Sequence, residues 1–424
     1  MPGVTRRPQT PGDPVTVASD RRSPRPLPLL LAVVALLVAG LAGAPPARPA
    51  TTWVRVADGV AYRWKDLPSP RGTARAHLLS VDLDRAGVSL GLLYPGAVAA
   101  RSALSSLADG AAAVGGVNGD FFHLTETQHP GVPATGAPVG PAVADGRALK
   151  AAVPRAQRYG PALPPGANAR QVWGVGTDGT ARLGELTLDG AVSSAAGAWP
   201  LGGLNQYALA EGSVGLFTSD WGSAPRARAV CGSDARRDAP CVSDAYEVTV
   251  RAGRVVSAAS APGGGTIPDG TLVLVGREKG ADRLRELAVG ERVRVRYGLV
   301  AAGGGAPFRF AVGGFPVLRG GAPVPGLDGT VAAVRTAAGI GESGRRVWLL
   351  ALDGSPGFRD GLTLAELAGV LAGLGASEAV NLDGGGSSTL VARDAGASAV
   401  RVLNHPSGGA QRPVPNGVGV FAGG

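Results

Sequence analysis

Two segments of this sequence carry the same short polar run after an apolar stretch: Val117-Asn118-Gly119-Asp120 and Val380-Asn381-Leu382-Asp383. Alternate side chains of a strand point to the same side, so in each run the Asn and the Asp face the same way. An amide and a carboxylate at the end of a buried strand are costly unless they have partners. If the two runs converge on one cleft, they supply two acids and two amides, which suits acid/base chemistry on a sugar.

Three glycines and two serines follow the second run: Gly384, Gly385, Gly386, Ser387 and Ser388. A run of glycines lets backbone N–H groups turn toward one point and form an anion-binding nest, to which the two hydroxyls can contribute. The alternative is a tight turn between strands in which Asp383 caps its own loop.

A third polar element begins at Arg335 and Thr336, ahead of a run of small residues. A guanidinium at this point can bind a phosphate through two parallel hydrogen bonds. The alternative is a structural pairing of Arg335 with a nearby carboxylate. Asp353, which follows the next apolar run, is either a third acidic ligand or part of a turn with Gly354.

The elements that must position these residues are predicted from capping signals and hydrophobic spacing. Ahead of the first run we expect a short helix over Ser102–Asp109, with Ser102 as its N-cap, and then a buried strand over Ala111–Val117. Ahead of the second, Thr363-Leu364-Ala365-Glu366 is a capping box that opens an amphipathic helix ending at Gly375. Glu378–Leu382 is then a strand.

The remaining chain is rich in short predicted strands, beginning with a hairpin around Asp58-Gly59. The predicted fold class is α+β, with a mixed, strand-rich central sheet, a few flanking helices and a β-rich middle region. Residues 51–424 are expected to form one domain. Its core is predicted at about 75–150 and 310–424, and its β-rich middle region at about 166–310.

Composition excludes several classes of protein. Hydrophobic residues make up 45% of the chain and charged residues 17%, a balance typical of a folded globular protein. Of the net charge of +9, residues 1–50 contribute six arginines and two aspartates. The other arginines are dispersed without interleaved aromatic residues, so nucleic-acid binding is not expected.

The N-terminal segment has the features of an export signal. Arg21, Arg22 and Arg25 precede an apolar run, Leu29–Ala44, that is shorter than a membrane-spanning helix requires. We therefore predict a signal peptide and short linker over 1–50, and a secreted or cell-envelope protein on the extracellular side. The alternative is an uncleaved membrane anchor, which would be the only contact with a membrane.

The cysteine count agrees with export. Cys231 and Cys241 flank a polar loop, and a disulfide that closes this loop is the simplest account in an oxidising compartment. His123, Glu126 and His129 lie in a loop whose irregular spacing favours solvated polar residues over a metal site. No cofactor is predicted, although a divalent cation held by oxygen atoms of Asp383 and Asn381 stays open as an alternative.

Several blocks of this sequence resemble the signature blocks of the phosphodiester glycosidase family. They occur in the same order over roughly 75–424, and the block from Asn381 to Ser387 is the most specific. The blocks are Val117–Phe122, Ala137–Gly140, Val312–Leu318, Arg335–Gly339, Gly361–Glu366, Asn381–Leu390 and Asn404–Asn416.

The resemblance implies a hydrolase that cleaves sugar-1-phosphodiesters at the anomeric carbon, in which one cleft is lined by the shared polar residues: Asn118, Asp120, Arg335, Thr336, Asn381, Asp383, Ser387 and Arg412. The family usually carries glycine at the position of Asp120, so Asp383 is the safer acid and Asp353 its candidate partner. The expected substrate is a sugar phosphate or a glycopolymer, as in exopolysaccharide or the cell envelope. The alternatives are a non-catalytic protein that binds envelope glycopolymer and a metal-dependent phosphodiesterase.

Overall fold

The computed structural model of the protein describes residues 52–195 and 197–423. The predicted signal peptide lies outside the described residues. The first twelve strands are β1 Val54–Ala57, β2 Val60–Ser69, β3 Gly72–Asp82, β4 Ser89–Leu93, β5 Gly115–Asn118, β6 Ala142–Ala144, β7 Arg147–Lys150, β8 Gln171–Gly176, β9 Ala181–Ser194, β10 Gly197–Pro200, β11 Gly203–Leu204 and β12 Val214–Phe217.

The remaining strands are β13 Ala245–Arg251, β14 Arg254–Ala259, β15 Thr271–Arg277, β16 Arg294–Ala301, β17 Phe308–Gly313, β18 Phe315–Arg319, β19 Ala322–Pro323, β20 Thr336–Gly341, β21 Arg346–Leu352, β22 Glu378–Asn381, β23 Leu390–Arg393, β24 Val400–Val402 and β25 Gly417–Phe421. The α-helices are α1 Leu104–Gly110, α2 Lys279–Arg285 and α3 Leu364–Gly373. Short 3₁₀ turns cover Arg155–Gln157, Ser219–Trp221, Ala227–Val230, Glu342–Gly344 and Gly385–Ser387. None of the helices in the described ranges is long and apolar enough to cross a membrane.

Two sheets form the centre of the fold. One has eight strands in the order β1-β2-β3-β21-β20-β22-β18-β19, and the other five in the order β24-β23-β5-β25-β4. Leu349 and Val380 of the first sheet share a buried cluster with Val117 and Val418 of the second. Strand β21 is apolar almost throughout because both of its faces are covered.

The other face of the large sheet is covered by α3. Leu367 and Leu371 of this helix pack in one buried cluster with Ala337 and Leu350 of the sheet. The predicted capping box is confirmed: the Thr363 hydroxyl accepts from the Glu366 N–H, and the Glu366 carboxylate accepts from the Thr363 N–H. The helix ends at Gly373, two residues before the predicted Gly375.

The β-rich middle region is built from two further sheets. Strands β8 and β17 lie in a seven-stranded sheet, and their Trp173 and Phe310 contribute to the core between the two central sheets. Strands β11 to β15 form a separate five-stranded sheet whose Leu216 and Leu274 pack with Leu284 of α2 in a cluster of their own. The seven-stranded sheet thus contributes to the main core, whereas the five-stranded sheet with α2 has a separate hydrophobic core.

The strand-rich α+β class and the hairpin at Asp58-Gly59 are confirmed, with Gly59 in the left-handed region at φ +69°. The described pairings of the eight-stranded sheet are all antiparallel, so this sheet is not mixed in direction. The N-cap prediction at Ser102 was wrong. Helix α1 begins at Leu104, because the Ser102 backbone instead exchanges two hydrogen bonds with Val414.

The predicted disulfide between Cys231 and Cys241 is confirmed. The prediction that the neighbouring histidine loop is solvated was wrong. His123 and His129 are buried, and they lie 3.0 and 3.1 Å from the two carboxylate oxygens of Glu126. Arg228 also donates to this carboxylate, and burial lowers the pKa of His123 to about 4. The Arg228 guanidinium, from a distant part of the chain, thus offsets the free-energy cost of burying the Glu126 carboxylate in this loop.

The capping box of α3 generates a stability prediction. Replacement Thr363→Ala removes the hydroxyl that accepts from the Glu366 N–H, so we expect a loss of about 1 kcal/mol in the free energy of unfolding. Urea titration measures this loss. Thr363→Ser keeps the oxygen and should retain most of the stability; equal losses in both variants would contradict the assignment.

Candidate active site

The ends of β5 and β22 meet where the two central sheets come together. The Asp383 N–H donates to the carbonyl of Gly119 at 2.9 Å, and Asn118 Nδ2 donates to the carbonyl of Asp383 at 2.7 Å. The two Asn-x-Asp runs identified in the sequence are therefore in direct contact, although 265 positions separate Asn118 from Asp383 along the chain.

Asn118 is the hub of this contact and is fully buried. Its Oδ1 accepts from Thr336 Oγ1 at 2.8 Å and from the Thr389 N–H at 3.0 Å. Thr336 Oγ1 in turn lies 3.0 Å from Ser388 Oγ. One amide side chain thus connects both sheets with the loop that follows Asp383.

Asp383 lies among protein atoms on most sides and still keeps part of its surface accessible. Burial raises the pKa of its carboxyl to about 7, and the negative charge of Asp120 adds to this shift. A hydrogen bond with Ser387 and the positive charge of Arg412 act in the opposite direction. A carboxyl that titrates near neutral pH is suited to move a proton under physiological conditions.

Asp120 lies close enough to influence Asp383 and is itself buried. Its Oδ2 accepts from the Gly140 N–H at 2.5 Å, and its own N–H donates to Asn416 Oδ1 at 2.9 Å. Burial raises the pKa of the Asp120 carboxyl, while the positive charge of Lys150 opposes that shift. Lys150 is also fully buried and donates to the carbonyls of three residues: Val139, Gly140 and Ala151.

Asn381 contributes an acceptor with no partner. It lies opposite Phe315 and Ala337 in its sheet, and its Nδ2 donates to the carbonyl of Leu382 at 3.0 Å. Its Oδ1 is buried and has no hydrogen-bond partner within the described residues. Such an orphaned acceptor costs about 1–3 kcal/mol of stability.

The glycine loop is a compact 3₁₀ turn that Asp383 partly caps itself. The Gly384 N–H donates to Asp383 Oδ1 at 3.0 Å, and the Gly385 N–H donates to the carbonyl of Val334 at 2.7 Å. Two of the amides expected to form the nest therefore have other partners. A Cβ at Gly384 would lie 2.5 Å from the Val334 carbonyl oxygen, so this close approach requires glycine.

The two arginines of the predicted site have different surroundings. Arg335 is buried, and its guanidinium donates to the carbonyls of Leu362 and Val331 at 3.1 and 2.8 Å. Its structural partners are thus carbonyls rather than the carboxylate considered from sequence. Arg412 lies against Gly386 and donates to Ser387 Oγ at 3.3 Å, which places its charge beside Asp383.

Asp353 has a complete set of partners away from Asp383. Its Oδ2 lies 3.2 Å from His77 Nε2 and accepts from the His405 N–H, and its Oδ1 accepts from Ser355. Burial raises the pKa of this carboxyl, but the hydrogen bonds outweigh burial and hold it well below its usual value. Both oxygens are engaged, so the arrangement suits an anchor for the segment around His405.

Several polar residues of the site were not singled out from the sequence: Lys150, Asn404 and Asn416. Asn404 donates to the carbonyls of Leu352 and Ser388, and its Oδ1 accepts from the Leu390 N–H. The two asparagines are the first and last residues of the final signature block, and this position was the sequence signal that could have identified them. No sequence signal pointed to Lys150, because a single lysine after an apolar run does not indicate its partners.

The surroundings of Asp383 favour an anion over a cation. Asp383 and the free oxygen of Asn381 offer hard ligands, but the Arg412 guanidinium beside them repels a divalent ion. Elsewhere in the described residues, His129 lies near Cys231 and Cys241 with metal-like spacing. Both sulfurs are held in the disulfide, so this group is not a metal centre in the oxidised protein.

Comparison with known protein families finds a match in the C-terminal part of the chain. Residues 244–421 match the phosphodiester glycosidase family, which confirms the resemblance seen in the sequence. This match includes Asn381, Asp383 and Arg412, whereas Asn118 and Asp120 lie before it. No curated protein matches the sequence.

The solved structures that are similar to this chain include the following three. A hypothetical protein from Synechocystis has a TM-score of 0.64 and 20% identity, with 86% of this chain and 62% of that chain covered. A putative exported protein from Burkholderia pseudomallei K96243 has a TM-score of 0.62 and 24% identity, with 82% and 74% covered. The zebrafish N-acetylglucosamine-1-phosphodiester alpha-N-acetylglucosaminidase catalytic domain, auto-inhibited by its pro-peptide, has a TM-score of 0.41 and 16% identity, with 86% and 84% covered. The first two share the fold, and this chain spans under two thirds of the Synechocystis protein.

The hub role of Asn118 is tested by Asn118→Leu, which keeps the branched shape of the side chain. This change removes the hydrogen bonds that Asn118 makes with the Thr389 N–H, Thr336 Oγ1 and the Asp383 carbonyl. We expect a loss of about 3 kcal/mol or more in the free energy of unfolding. Thr389→Val is the matched control, because Thr389 Oγ1 is buried and has no partner in the described chain. This control should leave stability unchanged or higher; a larger loss in Thr389→Val than in Asn118→Leu would contradict the assignment.

The raised pKa of Asp383 predicts a pH dependence of stability. The folded state holds the proton up to about pH 7, whereas an unfolded Asp loses it near pH 4, so the protein loses stability as pH rises through this interval. Asp383→Asn removes this loss. The melting temperature of the variant minus that of the native protein should therefore rise from pH 5 to pH 7 and level off above.

Asp394→Asn is the control for that measurement. Asp394 is exposed, and its hydrogen bond with Arg401 lowers the pKa of its carboxyl. Its melting-temperature difference should be constant from pH 5 to pH 8. If the melting-temperature difference of Asp383→Asn is also independent of pH, the charged form of the Asp383 carboxyl is not destabilised in the folded protein.

Proposed function

We propose that this protein is a phosphodiester glycosidase that hydrolyses sugar-1-phosphodiesters, with Asp383 as the catalytic base. The observation that carries the proposal is the meeting of the two Asn-x-Asp runs around Asp383. There the carboxyl has a pKa of about 7 and the Arg412 charge lies beside it. Asp383 can accept a proton near neutral pH, and the positive charge of Arg412 can stabilise an anionic leaving group.

The substrate phosphate binds next to Ser387, where Arg412 provides the positive charge. Arg335 contributes mainly by holding the chain in place, because its guanidinium already donates to two carbonyls. Asn118 and Thr336 keep the two halves of the cleft in register.

The reaction is a displacement at the anomeric carbon. Asp383 accepts one proton from a water molecule, and the water oxygen forms a bond to that carbon. The bond from the anomeric carbon to the phosphate oxygen breaks, and its electron pair leaves with the phosphate monoester. A phosphate is a good leaving group, so a second acid is not essential. The negative charge of Asp120 raises the basicity of Asp383 and keeps it effective near pH 7.

We infer that the protein acts outside the cytoplasm, on exopolysaccharide or cell-envelope glycopolymers. The disulfide between Cys231 and Cys241 suits an oxidising compartment. The structural similarity to a putative exported protein and the N-terminal sequence support the same inference.

The proposal predicts that the purified protein releases a reducing sugar and an alkyl phosphate monoester from a hexose 1-(alkyl phosphodiester). Asp383→Asn should lower kcat by about 100-fold or more, the usual contribution of a positioned general base. Chromatography of both products measures the rate and identifies the bond that is cleaved. Asp394→Asn, which changes an exposed carboxylate, should retain the native rate.

Two outcomes would contradict the proposal. Release of sugar 1-phosphate and an alcohol would indicate attack at phosphorus, as in a phosphodiesterase. Binding of sugar phosphodiesters of several hexoses without turnover would indicate a protein that only binds glycopolymer. A melting temperature of Asp383→Asn at pH 5 equal to that of the native protein shows that the variant is folded, so its loss of activity is not a loss of fold.

A further inference from the structure

A groove of about 610 Å³ in the β-rich middle region is lined by three arginines. Arg254 begins β14, and Arg292 lies directly opposite it across an antiparallel bridge. Arg294 begins β16 two residues later and pairs with Ser193 of β9. None of the residues that line this groove belongs to the candidate active site.

The three arginine side chains lie on the same outer face. Directly opposite residues of antiparallel strands project to one side, so Arg254 and Arg292 are neighbours. Val293 is 4% exposed and packs in the core of this region, so its side chain points inward. Arg292 and Arg294 therefore both point outward, because alternate residues of an extended chain share a face.

The charges of this groove are not balanced by carboxylates. In the part of the chain that the structure describes, none of the three arginines forms an ion pair, and the groove lining contains no Asp or Glu. Among the described residues, the acceptor of the Arg254 guanidinium is the carbonyl of Gly290, at 2.8 Å. By contrast, Arg296 on the same strand pairs with Asp189 at 2.8 Å.

Like charges directly opposite each other destabilise a pair of strands, and a bound anion reverses that effect. Guanidinium groups bind phosphate oxygens through parallel hydrogen bonds, and three of them around one groove suit a chain of such groups better than a single ion. The exposed position of all three arginines leaves the groove open to a polymer.

We propose that this arginine groove binds the phosphodiester groups of a polyanionic glycopolymer and holds the polymer on the enzyme while the Asp383 cleft cleaves it. The identity of the polymer rests on the proposed function, whereas the binding of anions by the groove does not. The proposal assigns the groove to polymer retention, separate from the chemical step.

The test uses a soluble polymer of hexose units joined by phosphodiester linkages and measures its binding by calorimetry at several salt concentrations. The double variant Arg292→Gln/Arg294→Gln should bind the polymer about tenfold more weakly or worse, with a shallower dependence on salt. The matched control is Arg236→Gln/Arg401→Gln, which removes the same net charge from two exposed arginines paired with Asp238 and Asp394. This control should bind as the native protein does.

The same double variant should hydrolyse a short hexose 1-(alkyl phosphodiester) at the native rate and lose activity on the polymer only. Equal weakening in both double variants would overturn the proposal, because net charge alone would then explain binding. The proposal would also be overturned if an uncharged hexose polymer bound as tightly as the phosphodiester-linked polymer. Tighter binding of single-stranded DNA of the same charge as that polymer would overturn it as well. Failure of the native protein to cleave the short substrate would overturn the proposed function instead, and the comparison of the two double variants would still decide the groove.

Discussion

The hydrogen bond from Asn118 to the backbone of Asp383 is the interaction on which the rest of the site depends. It joins the end of a strand in the five-stranded sheet to the end of a strand in the eight-stranded sheet. The apolar strands bury themselves against each other and bring the two ends together. Polar groups that arrive in the core this way must satisfy one another, and the Asn118 amide satisfies three of them.

The same packing accounts for the chemistry that we attribute to Asp383. A carboxylate that is surrounded by protein loses much of its hydration, so its charged form is disfavoured and its proton affinity rises. Arg412 and Ser387 offset only part of that cost. The burial that destabilises the charged form of Asp383 thus makes its carboxylate a base that is useful near neutral pH.

Local signals predicted much of this structure. The capping box at Thr363, the turn at Gly59 and the disulfide all depend on residues close in sequence, and the repeated Asn-x-Asp pattern correctly indicated two strand ends that meet. The wrong predictions, the N-cap at Ser102 and the solvated histidine loop, came from partners far along the chain. The histidine loop is buried because Arg228, 102 residues beyond Glu126, reaches the same carboxylate. Arg335 donates to backbone carbonyls that no side-chain pattern reveals.

The central claim is that water attacks the sugar rather than the phosphorus, with Asp383 as the base. Hydrolysis of a hexose 1-(alkyl phosphodiester) in water enriched in oxygen-18, followed by mass spectrometry of both products under conditions of slow sugar exchange, tests it directly. The account predicts the heavy oxygen on the anomeric carbon of the released sugar and none in the phosphate monoester. Heavy oxygen in the phosphate product would contradict it.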